Sequence, residues 1–163
     1  MVSRRQFLRG REGAVAPLRP PHALAEDAFV ECCTRCDACA EACPTGIIRR
    51  GDGGFPEIDF ARGICTFCND CVRACKPAAL AAQGAAWTLR VEIGDSCIAQ
   101  ANVVCRSCGD SCDVSAIRFP PLRGAAALPV VNETNCTGCG ACFSACPVSA
   151  ITLRPATAAA ITA

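Results

Sequence analysis

Cysteine spacing constrains this chain more than any other feature. Of its 17 cysteines, 16 fall into four runs of four. Three runs have the spacing C-x2-C-x2-C-x3-C, and the third along the chain is stretched at its front to C-x7-C-x2-C-x3-C. A spacing repeated in this way predicts four similar loops that present thiols. The runs are Cys33, Cys36, Cys39, Cys43; Cys65, Cys68, Cys71, Cys75; Cys97, Cys105, Cys108, Cys112; and Cys136, Cys139, Cys142, Cys146.

The spacing is typical of ligands for [4Fe–4S] clusters. Three thiolates separated by two residues each can bind one cluster from a tight loop, whereas the fourth, after three intervening residues, points away from it. Proline follows Cys43 and Cys146, which completes the bacterial ferredoxin signature, while Cys75 and Cys112 lack that proline. We predict that all 16 run cysteines are metal ligands and that four [4Fe–4S] clusters are bound.

The fourth cysteine of each run predicts crossed ligation. In two-cluster ferredoxins this residue ligates the cluster of the other run. We therefore expect Cys75 to complete the cluster of the first run and Cys43 that of the second. By the same reasoning, Cys146 completes the cluster of the third run and Cys112 that of the fourth. The alternative is ligation run by run, in which the four cysteines of each run bind one cluster. This alternative applies chiefly to the second half, where the third run is stretched.

Other uses of cysteine fit the pattern less well. Tetrathiolate zinc sites normally use two separated C-x2-C pairs. A disulfide framework has no need of the x2, x2, x3 spacing, and an odd number of cysteines leaves one thiol over. Cys32 stands outside the runs, because only Cys33 keeps the x2 spacing to Cys36. Cys32 is a bystander thiol or a spare ligand.

The repeat predicts an α+β fold of tandem bacterial two-cluster ferredoxin-like units, rich in loops and stabilised by the clusters. The first three runs begin 32 residues apart, and aromatic residues make up only 5% of the chain, so a conventional core is thin. We expect residues 128–131 to pair with 150–153 as antiparallel strands. The predicted organisation is a flexible lead at 1–28, one unit at 29–95, a second unit at 96–155 and a tail at 156–163.

The amino-terminal lead contains an export-like motif without the segment that export requires. Ser3, Arg4 and Arg5 begin a sequence similar to a twin-arginine signal. The apolar stretch that follows, residues 13–18, is shorter than the roughly 7–15 residues of a signal peptide. We therefore predict that the protein stays in the cytoplasm. No stretch reaches the roughly 20 apolar residues of a membrane span.

Charge and residue types argue against catalysis and nucleic-acid binding. The formal net charge is +1, but sixteen thiolates on four cluster cores would lower it to roughly −7. A protein of that charge is a poor ligand for nucleic acid. The only histidine, His22, lies in the lead, and there is no phosphate-binding glycine motif. We predict no catalytic residues and a protein that is not an enzyme.

The whole pattern resembles the NapF family, ferredoxin-type accessory proteins of periplasmic nitrate reductase systems. The resemblance rests on the arginine pair Arg4 and Arg5, the order of three regular runs with an irregular third, the sequence from Cys97 to Gln100, and the closing run from Cys136 to Cys142. It implies a cytoplasmic protein that binds the molybdenum-containing catalytic subunit before export and assists its maturation. It identifies no redox donor.

Two other functions remain open at this level. One is a general soluble polyferredoxin that serves several enzymes, and the other is an electron-transfer subunit of a respiratory oxidoreductase. The arginine-containing lead would have no purpose in a general carrier. We therefore assign Arg4 and Arg5 to partner binding.

Overall fold

Short helices and two-stranded sheets connect the cysteine loops. A computed structural model describes residues 17–82, 84 and 86–155. Helices α2 to α5 each contain the third cysteine of one run, and with four or five residues each they are too short to be stable alone. Their stability therefore depends on packing against the rest of the chain. The elements are α1 (Glu26–Cys32), α2 (Ala38–Glu41), β1 (Ile48–Arg50), β2 (Pro56–Ile58), α3 (Asp70–Ala74), β3 (Leu89–Ile93), α4 (Ser107–Asp110), β4 (Ile117–Arg118), β5 (Val130–Val131), α5 (Ala141–Ala145) and β6 (Ile151–Pro155), with a 3-10 turn at Asp52–Gly54.

The two halves of the chain use the same pairing scheme. An inner antiparallel pair connects the two runs of each half, β1 with β2 in the first and β4 with β5 in the second. An outer pair joins the two ends of each half. In the first half it is a single bridge between Ala23 and Leu80, and in the second it is the five-residue pairing of β3 with β6. This mixed helix and strand arrangement fits the predicted ferredoxin-like fold.

The outer pair of the second half differs from the predicted one. We expected residues 128–131 to pair with 150–153, but β5 pairs with β4 and β6 pairs with β3. The physical reason is matched burial: Leu89 and Val91 on β3 and Ile151 and Leu153 on β6 all face the core. Since β3 lies inside the predicted range 29–95, we propose that the division between the units falls before it.

Residues 17–28 pack against the body of the protein, which differs from the predicted flexible lead. Pro20 is fully buried, and the carbonyl of Leu18 accepts a hydrogen bond from the Ile58 N–H at 2.7 Å. The Arg19 guanidinium lies over the Phe29 ring, 5.1 Å from its centroid, and forms an ion pair with the Glu26 carboxylate. Apolar and cation–π contacts therefore fix this segment. Arg4 and Arg5 lie outside the described residues.

Aromatic side chains fill the space where the two halves meet. The rings of Phe60 and Trp87 make an edge contact with centroids 5.8 Å apart, and the same contact at 5.9 Å joins Phe67 to Trp87. Phe143, from the second half, lies 6.4 Å from Phe60 between ring centroids. We call these four residues the aromatic clamp. Each such ring pair contributes roughly 0.5–1.5 kcal/mol beyond the area that it buries.

Gly140 gives a test of how tightly the clamp is packed. A Cβ atom at this position would overlap the Phe60 ring, and the backbone φ is +86°. Gly124 has a φ of +75° but nothing within 4 Å of its Cβ position, so it is the matched control. Both alanine variants incur about 1–2 kcal/mol of left-handed strain.

We expect Gly140→Ala to be less stable than Gly124→Ala by about 1–3 kcal/mol, the usual range for overpacking. Thermal unfolding of both variants under the same conditions measures the difference. Equal melting temperatures would show that the ring moves freely and that the clamp is loose.

Candidate metal centres

The three regular runs share a backbone conformation that gathers their thiols. In each, the residue before the second cysteine and the residue after it have positive φ. Glycine adopts this conformation freely, whereas other residues adopt it at a cost in energy. Residues strained in this way are common at functional sites. The loop curves at both positions, so consecutive cysteines face the same side. The residues are Arg35 and Asp37, Phe67 and Asn69, and Gly138 and Gly140.

The stretched third run reaches its site by a different route. Arg106 has a φ of −133°, so Cys105 leads directly into α4 without the left-handed positions. Cys97 instead lies in a separate turn, where its N–H donates to the Gly94 carbonyl at 3.0 Å. The intervening loop is closed by the Val103 N–H, which donates to the Ile98 carbonyl at 3.0 Å. The extra residues therefore form a compact turn that returns the chain to Cys105.

A turn common to all four runs follows the fourth cysteine. The N–H three residues later donates to the carbonyl of that cysteine, at 2.9–3.3 Å, and the donating residue has positive φ. The turn is the same whether or not proline follows the cysteine. It directs the chain into the next connection and leaves the thiol facing the neighbouring run. The donors are Gly46, Ala78, Ser115 and Ser149.

Three cavities are lined by thiols in the crossed combinations that the sequence predicted. Each encloses about 350–360 Å³ of space, including the part open to solvent. In every case three cysteines of one run are joined by the fourth cysteine of the other run in the same half. Site 1 has Cys33, Cys36, Cys39 and Cys75; site 2 has Cys65, Cys68, Cys71 and Cys43; site 3 has Cys97, Cys105, Cys108 and Cys146.

A fourth group of thiols surrounds Cys142. Burial raises the pKa of this thiol to about 12, with further contributions from the nearby thiols of Cys136 and Cys139 and, more weakly, of Cys108 and Cys112. Cys136, Cys139 and Cys142 belong to the last run, and Cys112 is the cysteine that crossed ligation assigns to them. We call these four thiols site 4.

Burial has the same effect on Cys39 of site 1 and Cys65 of site 2. It raises the pKa of Cys39 to about 12, assisted by the charges of Cys33 and Cys75, and the pKa of Cys65 to about 11. These groups are protonated at neutral pH without metal. Iron binds thiolates, so occupation of these sites must displace protons.

Hydrogen bonds act in the opposite direction on Cys43, the fourth cysteine of the first run. Burial raises the pKa of Cys43, but hydrogen bonds from the Thr45 side chain and nearby backbone N–H groups outweigh it and lower the pKa. The Ala116 and Ala150 N–H groups donate to the sulfurs of Cys112 and Cys146, each at 3.2 Å. Donors of this kind stabilise thiolate charge and tune the reduction potential of a bound cluster.

The donors and the cavities fit an iron–sulfur cluster. The four candidate ligands at each site are all cysteines, and deprotonated cysteine is a soft ligand that suits zinc or iron–sulfur clusters. Across residues 17–82, 84 and 86–155, no three cysteine, histidine or acidic side chains converge closely enough to hold a single metal ion. At sites 1 to 3 the thiols instead line a shared cavity, an arrangement that suits a cluster of several atoms.

The structure also separates the run cysteines from other candidates. All 17 cysteines are free thiols, so none of them forms a disulfide. Cys33 lines site 1, whereas Cys32 is exposed at the end of α1.

None of the described helices has the length and apolar character needed to cross a membrane.

Sequence reasoning missed the residues that shape the loops. The left-handed positions and the threonine that follows the first cysteine of each regular run were not singled out. The threonine repeats as C-T-x-C in all three regular runs, and this repeat was a signal in the sequence that these loops are alike. The aromatic clamp was also missed, because its members lie far apart in the sequence. The threonines are Thr34, Thr66 and Thr137.

Two family models match the chain. Residues 32–80 match a 4Fe-4S dicluster domain, and residues 129–152 match a 4Fe-4S binding domain. The first match covers sites 1 and 2, and the second covers the last run. The stretched third run lies outside both matched segments.

Curated relatives match most of the chain. The ferredoxin-type protein NapF of Escherichia coli strain K12 is 45% identical over 142 residues, which cover 86% of this chain and 87% of that protein. NapF of Haemophilus influenzae is 43% identical, with 86% of each chain covered. The methylamine utilization ferredoxin-type protein MauM of Methylobacillus flagellatus is 34% identical over 82% of this chain and 66% of its own.

Paired substitutions in the full chain test the crossed ligation. Under crossed ligation, Cys75→Ala with Cys36→Ala removes two ligands from one site, whereas Cys75→Ala with Cys68→Ala removes one ligand from each of two sites. We therefore expect the first pair to lose about four iron atoms and the second about eight, since each cubane holds four. Iron and acid-labile sulfide, measured after anaerobic reconstitution, give the counts. The reverse order of losses would establish ligation run by run.

Proposed function

Because this chain belongs to the NapF family of ferredoxin-type proteins, we propose that it transfers electrons through bound [4Fe–4S] clusters and assists maturation of the catalytic subunit of a periplasmic nitrate reductase. The thiol-lined cavities are the observation that supports this function most directly. Each cavity is lined by four thiols, and the family models that match the chain are a 4Fe-4S dicluster domain and a 4Fe-4S binding domain.

The side chains around each site favour electron transfer over catalysis. A bound cluster would accept or donate one electron at a time. All four thiols at a site are used as ligands, which leaves no position at iron for a substrate. The surrounding residues hold the thiols in place, limit the access of water and donate hydrogen bonds to sulfur. Apolar residues contribute to this at site 1, where Phe29, Ala79 and Leu80 line the cavity and are buried.

We propose that the partner is the molybdenum-containing catalytic subunit before its export, and that the encounter takes place in the cytoplasm. The export-like motif at Arg4 and Arg5 is the feature that supports this. A motif without the apolar segment can occupy a surface that normally receives a signal peptide, with the arginine guanidinium groups donating to carboxylates. The first residues would then act as a docking arm.

A general electron carrier is the second candidate. The similarity to MauM, a ferredoxin-type protein named for methylamine utilization, shows that related chains occur in another metabolic context. Such a carrier would use the same four sites but would not need the arginine pair. A test of the docking arm therefore distinguishes between the two proposed functions.

The cluster content gives the first test of this function. We expect anaerobically reconstituted protein to hold about sixteen iron atoms and sixteen sulfides, the number for four cubanes with four thiolates each. Iron analysis together with Mössbauer spectra provides the measurement. Zinc in place of iron, or about half that iron in fully loaded protein, would contradict the proposal.

The arginine pair gives the second test. We expect Arg4→Ala with Arg5→Ala to keep its full iron content, to remain cytoplasmic and to lower nitrate reductase activity in cells, because the guanidinium donors of the docking arm are lost. The matched control is Arg9→Ala with Arg11→Ala, which removes the same charge from the same segment. Cell fractionation and reductase assays provide the measurements.

Two results would refute the docking arm. One is full reductase activity in cells with the Arg4 and Arg5 variant. The other is wild-type protein in the periplasm. An equal loss of activity in the control variant would show that only the net charge of the segment matters.

A further inference from the structure

A backbone hydrogen bond connects a cysteine of the first half to a cysteine of the second. The Cys65 N–H donates to the Cys139 carbonyl at 2.9 Å. Cys65 lines site 2, and Cys139 belongs to the run of site 4. The path from one sulfur to the other follows each side chain to its backbone and crosses this single hydrogen bond. Electronic coupling falls more slowly along bonds than across empty space, so this path favours electron transfer.

The aromatic clamp holds the two loops in this position. The Trp87 indole N–H donates to the carbonyl of Thr137, in the loop of site 4, at 3.0 Å. The same indole ring contacts Phe67, in the loop of site 2. Gly138 and Gly140 are buried, and Cβ atoms at these positions would lie within 3 Å of clamp side chains. Trp87 therefore contacts both loops and fixes the distance between them.

Helix contacts link the two sites within each half. Helix α2, which carries Cys39 of site 1, packs on α3, which carries Cys71 of site 2. Helix α4, which carries Cys108 of site 3, packs on α5, which carries Cys142 of site 4. Among the described residues, no backbone hydrogen bond joins the first run to the third. The contacts therefore follow the linear order site 1, site 2, site 4, site 3.

We propose that sites 2 and 4 form the electron-transfer junction between the two halves, and that electrons cross the protein in the order of sites 1, 2, 4 and 3 or the reverse. This rests on the proposed clusters being present. In the central step one electron leaves a reduced cluster at site 2 and reduces an oxidised cluster at site 4, with no bond broken and no proton moved. A low-potential one-electron carrier supplies the electron at one end, and an oxidised partner accepts it at the other.

Spin coupling between reduced clusters tests the junction in the full-length chain. Cys36→Ala with Cys105→Ala removes one ligand from each of sites 1 and 3, and so leaves sites 2 and 4 intact. Cys68→Ala with Cys139→Ala is the matched control, because it leaves sites 1 and 3. Each variant is reconstituted anaerobically, analysed for iron and reduced with dithionite. Electron paramagnetic resonance spectra then report magnetic interaction between the two remaining clusters.

We expect each variant to retain about eight iron atoms. The first should show split or broadened signals from interacting clusters, and this splitting should be lost in the control. Eight iron atoms with no splitting in the first variant would overturn the junction while leaving the proposed clusters intact. Equal splitting in both variants would overturn the order of sites. Absence of iron from both would overturn the cluster sites and the junction together.

A second measurement leaves every ligand in place. Gly140→Ala forces the Phe60 ring away from the site 4 loop, whereas Gly124→Ala introduces the same backbone strain in open space. In the fully loaded, reduced proteins we expect Gly140→Ala to weaken the interaction between the halves and to slow spin relaxation, with no change in Gly124→Ala. Relaxation that is the same in both variants would overturn the role of the clamp in positioning the junction.

Discussion

The turn after each fourth cysteine determines how the rest of the chain is arranged. A left-handed residue three positions later reverses the backbone and leaves the thiol facing the neighbouring run. Each of the three described cavities is accordingly lined by cysteines of two runs, which begin 32 residues apart in the first half and 39 in the second. The helices that carry the third cysteines are too short to be stable alone, so they depend on packing against the loops and sheets, and metal bound by the thiols would add to their stability.

Sequence predicted the kind of fold and the family, and the comparisons confirm both. The spacing was sufficient because the geometry of a cluster restricts the loops that can bind it. It did not show that Cys75 and Cys112 make the same turn as the two cysteines that precede proline. The assignment of individual ligands stays a prediction, which the crossed cavities support. The predicted pairing of residues 128–131 with 150–153 was wrong. The alternation of apolar and polar residues identifies the buried face of a strand, but it does not identify which strand lies opposite.

The segment from residue 17 to residue 28 shows a second limit of sequence reasoning. It belongs to the lead of residues 1–28, whose several arginines and paired prolines are typical of disordered chains. In the structure, Arg19 contacts the rings of Phe29 and Phe55 and pairs with Glu26. Two of these partners lie close in the sequence, but Phe55 belongs to the connection between the first two runs. Local composition cannot reveal a partner that the fold brings from 36 positions away.

The glycines of the last run make the second half of the chain different from the first. At the two left-handed positions, the first run has Arg35 and Asp37 and the second has Phe67 and Asn69, whereas the last run has only Gly138 and Gly140. The missing side chains make room for rings from the first half. The two halves are therefore not interchangeable, because side chains at these two positions, such as those of the first two runs, would overlap Trp87 and Phe60. A further copy of a half, added to the chain, would need glycines at the same two positions to pack against these rings in the same way.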